Sequence, residues 1–453
     1  MTSLKLHVKE RVFVTDPPMG LYAKILKDNA FANPKYAENK KHGYSNFKTP
    51  QILEIYKCQK DGVSVPRGYI GQLLDICEED SLETSIEDFR TTNPKDFPPL
   101  NIELRSYQKR AVEEALKSDE GVIISPTGSG KTLMGLEVIR TRGQKALIIV
   151  HRSDLAKQWV EVIQERLGVK AGLIGDGCFE IGDLITVAMI QTLKSREEET
   201  KKLSESIGLV LVDECHHVPS ESASEILSWM SAKYLYGLSA TPNRRDGLEA
   251  MIYRCIGPVL SVVERSEVEA LGSTVPATVF SLKTRFDPGA VSSWNEYLDA
   301  ITNDIKRNKL IADIAIQEQQ NGAVLILCDR IEHVEKISQI LTDMKEGHTL
   351  AHGQLNSSDR AIAMEALNTA SITVGTTGLL GEGLDVSSWA ILIMASPISS
   401  EIKLMQAIGR VIRSATDKLE GIIYDLQDDC GFSGSSFKNR FAIYKKHNIL
   451  VNF

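Results

Sequence analysis

The chain has 453 residues, 42% hydrophobic and 25% charged, which is ordinary for a globular protein and allows roughly two to four domains. It has no apolar run near the ~20 residues of a membrane-spanning helix, and the charged, alternating start MTSLKLHVKERV does not read as a signal peptide. Seven scattered cysteines without a C-x-x-C pair point to reduced thiols and away from zinc, and the net charge of −8 excludes general coating of a polyanion but not binding in a local groove.

Residues 1–99 mix short alternating runs, LKLHVKERVFV and ILEIYK, with the turn segments DPPMG, KDG and VPRG, the texture of a small α+β module. Over residues 1–74, twelve Lys and Arg face six Asp and Glu, before an acidic stretch from Asp75 to Asp88. A face turned towards nucleic acid and an unevenly solvated surface explain that imbalance equally well. The segment TTNPKDFPP at 91–99 carries three prolines and reads as a linker.

From Leu104 the texture changes. Short apolar runs recur at 122–125, 146–150, 184–189, 208–213 and 236–240, separated by helical patterns such as RSYQKRAVEEALK and RSDLAKQWVEVIQERLG. Buried strands alternating with helices predict an α/β fold, a parallel sheet covered on both faces. The pattern fades between about Met251 and Lys309, then resumes at 323–328, 348–351, 372–375, 391–395 and 421–425. The expected layout is therefore a module at 1–99, an α/β domain at 100–250, a connecting segment at 251–309 and a second α/β domain at 310–453.

The unusual polar residues all follow predicted strands, where open parallel sheets bind ligands. After the first strand, Ser125-Pro126-Thr127-Gly128-Ser129-Gly130-Lys131-Thr132 reads as a phosphate loop. Gly128 and Gly130 let the backbone curl its N–H groups around a phosphate, with a helix N-terminus behind. Lys131 would reach the terminal phosphates and Thr132 would ligate Mg²⁺. Ser125 stands where the strict pattern has glycine, but the later glycines make the cradle. Asp213-Glu214-Cys215-His216 follows the fourth strand. Asp213 would hold Mg²⁺ through water, and Glu214 would orient the attacking water. Such an acidic pair alone is usually surface charge; a phosphate loop upstream on the same sheet changes that reading. His216 fits a core histidine as well, and Cys215 and His217 read as packing. Ser239-Ala240-Thr241 after the fifth strand is by itself no more than a turn cap. The implied ligands are ATP and Mg²⁺.

In this order the motifs resemble those of superfamily 2 helicases of the DExH kind. SPTGSGKT, DECH and SAT match motifs I, II and III; VHRSDLAKQW (150–159) and MIQTL (189–193) match Ia and Ib. GTTGLLGEGLDV (375–386) and QAIGRVIR (406–413) match V and VI, while GLSATPNRRDG (237–247) is closer to the XPB-like branch than to DEAD-box RNA helicases. The resemblance implies two tandem RecA-like domains behind the N-terminal module. It also implies that Gln108, in LRSYQ, reads adenine, and that Arg410 and Arg413 act as arginine fingers from the second domain. By the same resemblance Gln406, His216, Ser239 and Thr241 would couple the domains, and Asp385 would lie near the ribose beside Gly383 and Thr376. The ATP site would thus be two half-sites joined by nucleotide. Candidate nucleic-acid contacts are Arg152, Gln191, Thr192, Arg330 and Thr376, each of which also reads as a surface or capping residue.

FANPKYAENKKHGY (31–44) and VPRGYIGQL (65–73) resemble the N-terminal module of phage branch-migration helicases. That implies branched DNA as partner: forks, displacement loops or four-way junctions. A module that only packs against the first domain is the alternative. The expected activity is an ATP-dependent DNA helicase of recombination and repair, located in the cytoplasm, or the host's if the gene is a phage's, with no membrane partner. A duplex translocase of a restriction or remodelling system and an RNA helicase are the rival readings. A clamp without turnover is disfavoured by the intact Glu214, Arg410 and Arg413.

Overall fold

The computed structural model describes residues 3–240, 247–271, 274–351, 366–367, 369–380, 388–413 and 418–453. They form two compact units, one built from residues up to Ser125 and from Gly130 to Val263, the other from Glu264 onwards together with Pro126–Ser129.

The N-terminal module is a five-stranded sheet of β1 (Leu4–Val8), β2 (Arg11–Thr15), β5 (Lys57–Gln59), β6 (Gly62–Pro66) and β7 (Thr84–Asp88), with β3 (Ala30–Ala32) and β4 (Ile52–Glu54) as a separate pair. Its order is β5-β6-β2-β1-β7, antiparallel except for β1 with β7. Alternation drives it: Leu4, Leu6 and Val8 point inward with Val12, Val14, Val63 and Val65, and helices Met19–Asp28 and Ile70–Glu79 add Leu21, Ile25, Leu73 and Ile76 to the same core.

The first large sheet contains β8 (Glu120–Ile124), β9 (Ala146–Val150), β10 (Gly172–Gly175), β11 (Cys178–Phe179), β12 (Ile185–Met189), β13 (Leu209–Val212), β14 (Tyr234–Ser239) and β15 (Val259–Val262). The order is β11-β10-β12-β9-β13-β14-β8-β15, and every pairing is parallel except β10 with β11. The sequence ALIIV of β9 is buried at every position, because helices cover both faces of such a sheet.

The second unit holds a seven-stranded, wholly parallel sheet: β16 (Ala277–Lys283), β17 (Ala323–Cys328), β18 (Thr349–Ala351), β19 (Ile372–Thr376), β20 (Trp389–Met394), β21 (Gly421–Gln427) and β22 (Leu450–Asn452), in the order β18-β19-β17-β20-β21-β16-β22. Two buried charge pairs brace it. Arg440 donates from Nε and Nη2 to Asp425 at 2.8 and 2.7 Å, and Arg307 Nε donates to Asp428 Oδ1 at 2.8 Å. The stretch 251–309, where alternation fades, supplies β15 to one sheet and β16 to the other. No helix among the described residues is long and apolar enough to cross a membrane.

The proline-rich segment 91–99 is not the free tether expected of a linker. Thr91 N donates to Ser231 O and Lys233 N to Thr91 O, both at 2.7 Å; Lys145 N donates to Asn93 O and Lys95 N to Gly143 O, both at 2.8 Å. These bonds lace the segment along the amino ends of β9 and β14. The module is fastened nearby. Arg67, only 2% exposed, donates from Nε to Glu120 Oε2 at 2.8 Å and from its other nitrogens to the carbonyls of Ala232 and Lys233. Gly68 lies so close that a Cβ there would fall 2.4 Å from Gly257 N, so the two backbones meet without side chains between them.

Candidate active site

The adjacent strands β13, β14 and β8 release their chains at one edge of the first sheet. Asp213 and Glu214 follow β13, Ser239 ends β14, and Ser125–Gly130 lead from β8 into helix Lys131–Arg142. Ser125 N donates to Ser239 O at 2.9 Å, which ties the phosphate loop to the neighbouring motif. Parallel strands bring these motifs together without any closeness in sequence.

In the loop, Gly128 and Gly130 have φ of +85° and +79°, a region that favours glycine. A Cβ on Gly130 would lie 2.5 Å from Gln108 Nε2. Gln108 is buried, and its Oε1 accepts from Arg105 N at 2.8 Å, so its carboxamide braces the loop. Among the described residues no side chain caps the following helix, which leaves N–H groups at its positive end open to an anion. Lys131 Nζ donates to Ser125 O at 3.4 Å and lies 3.9 Å from Glu214 Oε1.

Asp213 is held on both oxygens: Oδ1 accepts from Glu214 N at 2.9 Å and Oδ2 from Trp159 Nε1 at 2.8 Å. Burial pushes its carboxyl above the usual range and the charge of Glu214 adds to that, while Trp159 and Lys131 pull it back. Glu214 has φ of +47°, an uncommon conformation for a residue with a Cβ and one found at functional sites. Its Oε2 lies 3.2 Å from His216 Nδ1, which is itself 3.4 Å from Ser239 Oγ. The buried His216 thus stands between the half-buried Glu214 and the end of β14. His217 sits between His216 and His151 with its ring tilted to both, the ring centroids 4.2 and 4.0 Å away, and Cys215 packs at 0% exposure. Trp159 and His151 lie in VHRSDLAKQW, whose match to motif Ia gives neither side chain a role of its own. Both belong to the segment after β9, whose neighbour in the sheet is β13.

In the second unit, helix Glu401–Val411 carries Gln406 and Arg410, which are 4% and 5% exposed. Gln406 Oε1 has no hydrogen-bond partner among the described residues. Arg413 follows the helix end, and burial pushes its guanidinium down to about 10. Thr241, Gly383 and Asp385 lie outside the described residues.

The nucleic-acid candidates all sit at carboxyl ends of strands. Arg152 follows β9 and lies 3.4 Å from Asp154, while Gln191 follows β12 and donates to His151 O at 3.1 Å. Thr192 is half-buried in helix Ile190–Ser195. Arg330, after β17, pairs with Asp299 and donates to Asn295 O at 3.3 Å; Thr376 is the buried last residue of β19.

Residues 101–244 match the family described as type III restriction enzyme, res subunit, and residues 306–415 match the helicase conserved C-terminal domain; together these matches span more than half of the chain. A probable helicase of Escherichia phage T5 is 27% identical over 384 residues, covering 83% of this chain and 82% of that protein. The ATP-dependent DNA helicase UvsW of Enterobacteria phage T4 is 24% identical over 425 residues, 86% of this chain and 83% of that protein. Among solved structures, S. cerevisiae Dbp5 bound to RNA and ADP beryllium fluoride shares the fold, with a TM-score of 0.59 and 16% identity over 77% of this chain and 89% of that one. The two domain matches and the phage relatives agree with the arrangement of phosphate loop and acidic pair, and the chain belongs to the superfamily 2 helicases, nucleic-acid-dependent ATPases, as a relative of phage helicases.

Proposed function

We propose that this helicase is a DNA motor that remodels branched DNA, namely forks, displacement loops and four-way junctions, in recombination and repair. The observation that carries the reading is the seating of a lysine-rich module on the lobe that bears the phosphate loop, through the buried Arg67–Glu120 pair. A module fixed in this way would move with each step of the motor. The choice of DNA rests on the name of the T4 relative, a DNA helicase; another relative's name specifies RNA.

The loop fits a Mg²⁺–triphosphate: its two glycines hold left-handed backbone, the helix behind it opens without a side-chain cap among the described residues, and two carboxylates stand beside its lysine. Thr132 and Asp213 would hold the metal, which when bound neutralises charge on the phosphates. Lys131 binds the terminal phosphates, and Glu214 orients the attacking water and takes its proton. Gln108, already braced on Gly130, presents its remaining amide surface to adenine. Asp385 and Gly383 serve the ribose. Arg410, Arg413 and Gln406 act from the second domain on the transferring phosphoryl group, and His216, Ser239 and Thr241 transmit its state. DNA is gripped at its phosphates, so stepping is largely independent of sequence.

Lys131→Ala and Glu214→Gln should each lower ATP turnover by at least about 100-fold while the fold is kept; full turnover in either would sink these roles. ATPase and unwinding should be compared on single strands, blunt duplex, forks and four-way junctions, with RNA counterparts. The strongest response is expected on forks and junctions, and equal responses on blunt duplex would remove the branched-DNA reading. The match of residues 101–244 to a restriction subunit favours a second reading, a duplex translocase. It requires ATPase stimulated by blunt duplex without strand separation.

A further inference from the structure

Between β3 and β4 the chain leaves the module as an excursion, helix Pro34–His42 and the loop that follows. Its base is firm. β3 and β4 pair antiparallel, with Phe31 opposite Leu53, and Phe31 and Ile55 pack on the hydrophobic core of the first large sheet. Beyond that base, no described side chain from Asn33 to Gln51 is buried.

A short helix without an apolar face is marginal in water, so its ends and loop must hold it. Pro34 opens the helix, Asn33 Oδ1 accepts from Lys35 N at 3.0 Å, and Gly43 closes it with φ of +73°. Asn39 Nδ2 donates to Asn46 Oδ1 at 2.9 Å, Asn46 Nδ2 to Tyr36 O at 3.1 Å, and Asn33 Nδ2 to Pro50 O at 2.7 Å. Among the described residues the segment is at most half-buried, so little burial offsets the conformational entropy of ordering it.

What the bonded loop holds out is two aromatic rings, Tyr44 at 69% and Phe47 at 93% exposure. Lys40, Lys41 and Lys48 flank them and are exposed, and residues 31–60 contain six lysines against two glutamates. The module's lysine ion pairs among the described residues lie elsewhere, Lys9 with Glu10 and Lys24 with Glu79. A single exposed apolar residue means little. Two aromatics on a pre-ordered loop among lysines match what unpaired bases and their phosphates require.

We propose that this excursion is a DNA-gripping finger. Phe47 and Tyr44 stack on unpaired bases where duplex meets single strand, and Lys40, Lys41 and Lys48 hold the adjoining phosphates. The finger deepens the branched-DNA reading and rests on it for the choice of DNA with a junction. Because its base packs on the motor lobe's core, a base stacked on the finger would be held against the pull of translocation.

The test uses the full chain and a DNA fork with 2-aminopurine in its unpaired arm beside the junction, read by anisotropy and by the fluorescence quench that stacking causes. Phe47→Ala should weaken fork binding about tenfold and abolish most of the quench, with the melting temperature unchanged. Lys40→Gln/Lys41→Gln/Lys48→Gln should reduce the dependence of log affinity on log salt by roughly two to three. Wild-type affinity and quench in Phe47→Ala would overturn the finger. So would a Phe47→Ala protein that loses self-association in sedimentation but binds DNA normally, which would assign the face to a second copy of the chain. If the wild type binds forks and blunt duplex equally, the branched-DNA reading fails, and the quench on a tailed strand still decides the finger.

Discussion

At Asp213 two influences oppose each other. Burial and the neighbouring Glu214 favour the protonated carboxyl, while the indole N–H of Trp159, 2.8 Å from Oδ2, favours the carboxylate. Trp159 is 1% exposed, and a Cβ at Gly135 would lie 3.2 Å from its ring, so the indole has little freedom to turn away. A hydrogen bond to a charged group contributes about 1.5–3 kcal/mol, enough to change how readily Asp213 serves a metal. Trp159→Phe keeps an aromatic ring and removes the donor. It should raise the Mg²⁺ concentration for half-maximal ATPase about tenfold, with a smaller loss of stability from the lost volume. An unchanged Mg²⁺ requirement in a folded Trp159→Phe protein would reduce Trp159 to packing. At the same scale, the αL backbone of Glu214 brings its carboxylate near both Lys131 and His216, which an extended residue following β13 would not do.

Among the elements, the turn Arg67–Tyr69 is what pins the module to the start of β8. Removing one partner of a buried pair leaves the other charge uncompensated and costs about 3–5 kcal/mol. Arg67→Met should lose stability of that order at neutral pH, and Arg67→Met/Glu120→Gln should recover part of it. The pH dependence follows from Glu120, whose carboxyl burial pushes up and Arg67 pulls down. Without Arg67 the folded protein holds the glutamate proton more tightly than the unfolded chain does. The penalty is then absent where both states are protonated and grows as pH rises through the glutamate range. Denaturant melts should show the gap between Arg67→Met and wild type narrowing as pH falls towards about 4; a gap independent of pH would mean Glu120 is not its source. Elements buried on both faces were legible from composition. ALIIV of β9 and AVLILC of β17 form strands with the bounds that their apolar runs suggest. The edge strands β15 and β22 were not legible, because each exposes part of its short run to water and so loses the continuous apolar signal. The phosphate loop and acidic pair were legible because their chemistry demands particular residue types. The segment that holds His151 and Trp159 was legible as a motif, but their places beside His217 and Asp213 were not, because the adjacency of β9 and β13 exists only in the folded sheet.

At the scale of the molecule, the proline-rich segment 91–99 decides whether the module is a separable domain. Its composition suggests a tether, and prolines do stiffen linkers. In the fold, however, Thr91, Asn93 and Lys95 exchange backbone hydrogen bonds with residues that precede β9 and β14, and Asn93 Nδ2 donates to Ser206 O at 2.7 Å. Removing residues 1–99 would strip these bonds, leave Glu120 buried without Arg67 and uncover the core beneath Phe31 and Ile55. A protease needs several residues of free backbone, and this segment offers few without prior unfolding. Limited proteolysis of the native chain should therefore spare residues 91–99, and the module should melt in one calorimetric transition with the first large sheet. The truncated chain 100–453 should be less stable than the full chain, so lost DNA processing in that truncation would report unfolding as much as lost grip; point variants on the exposed finger avoid this. Rapid cleavage within 91–99 that releases a stable, ATP-hydrolysing 100–453 fragment would show instead that the module is an appendage.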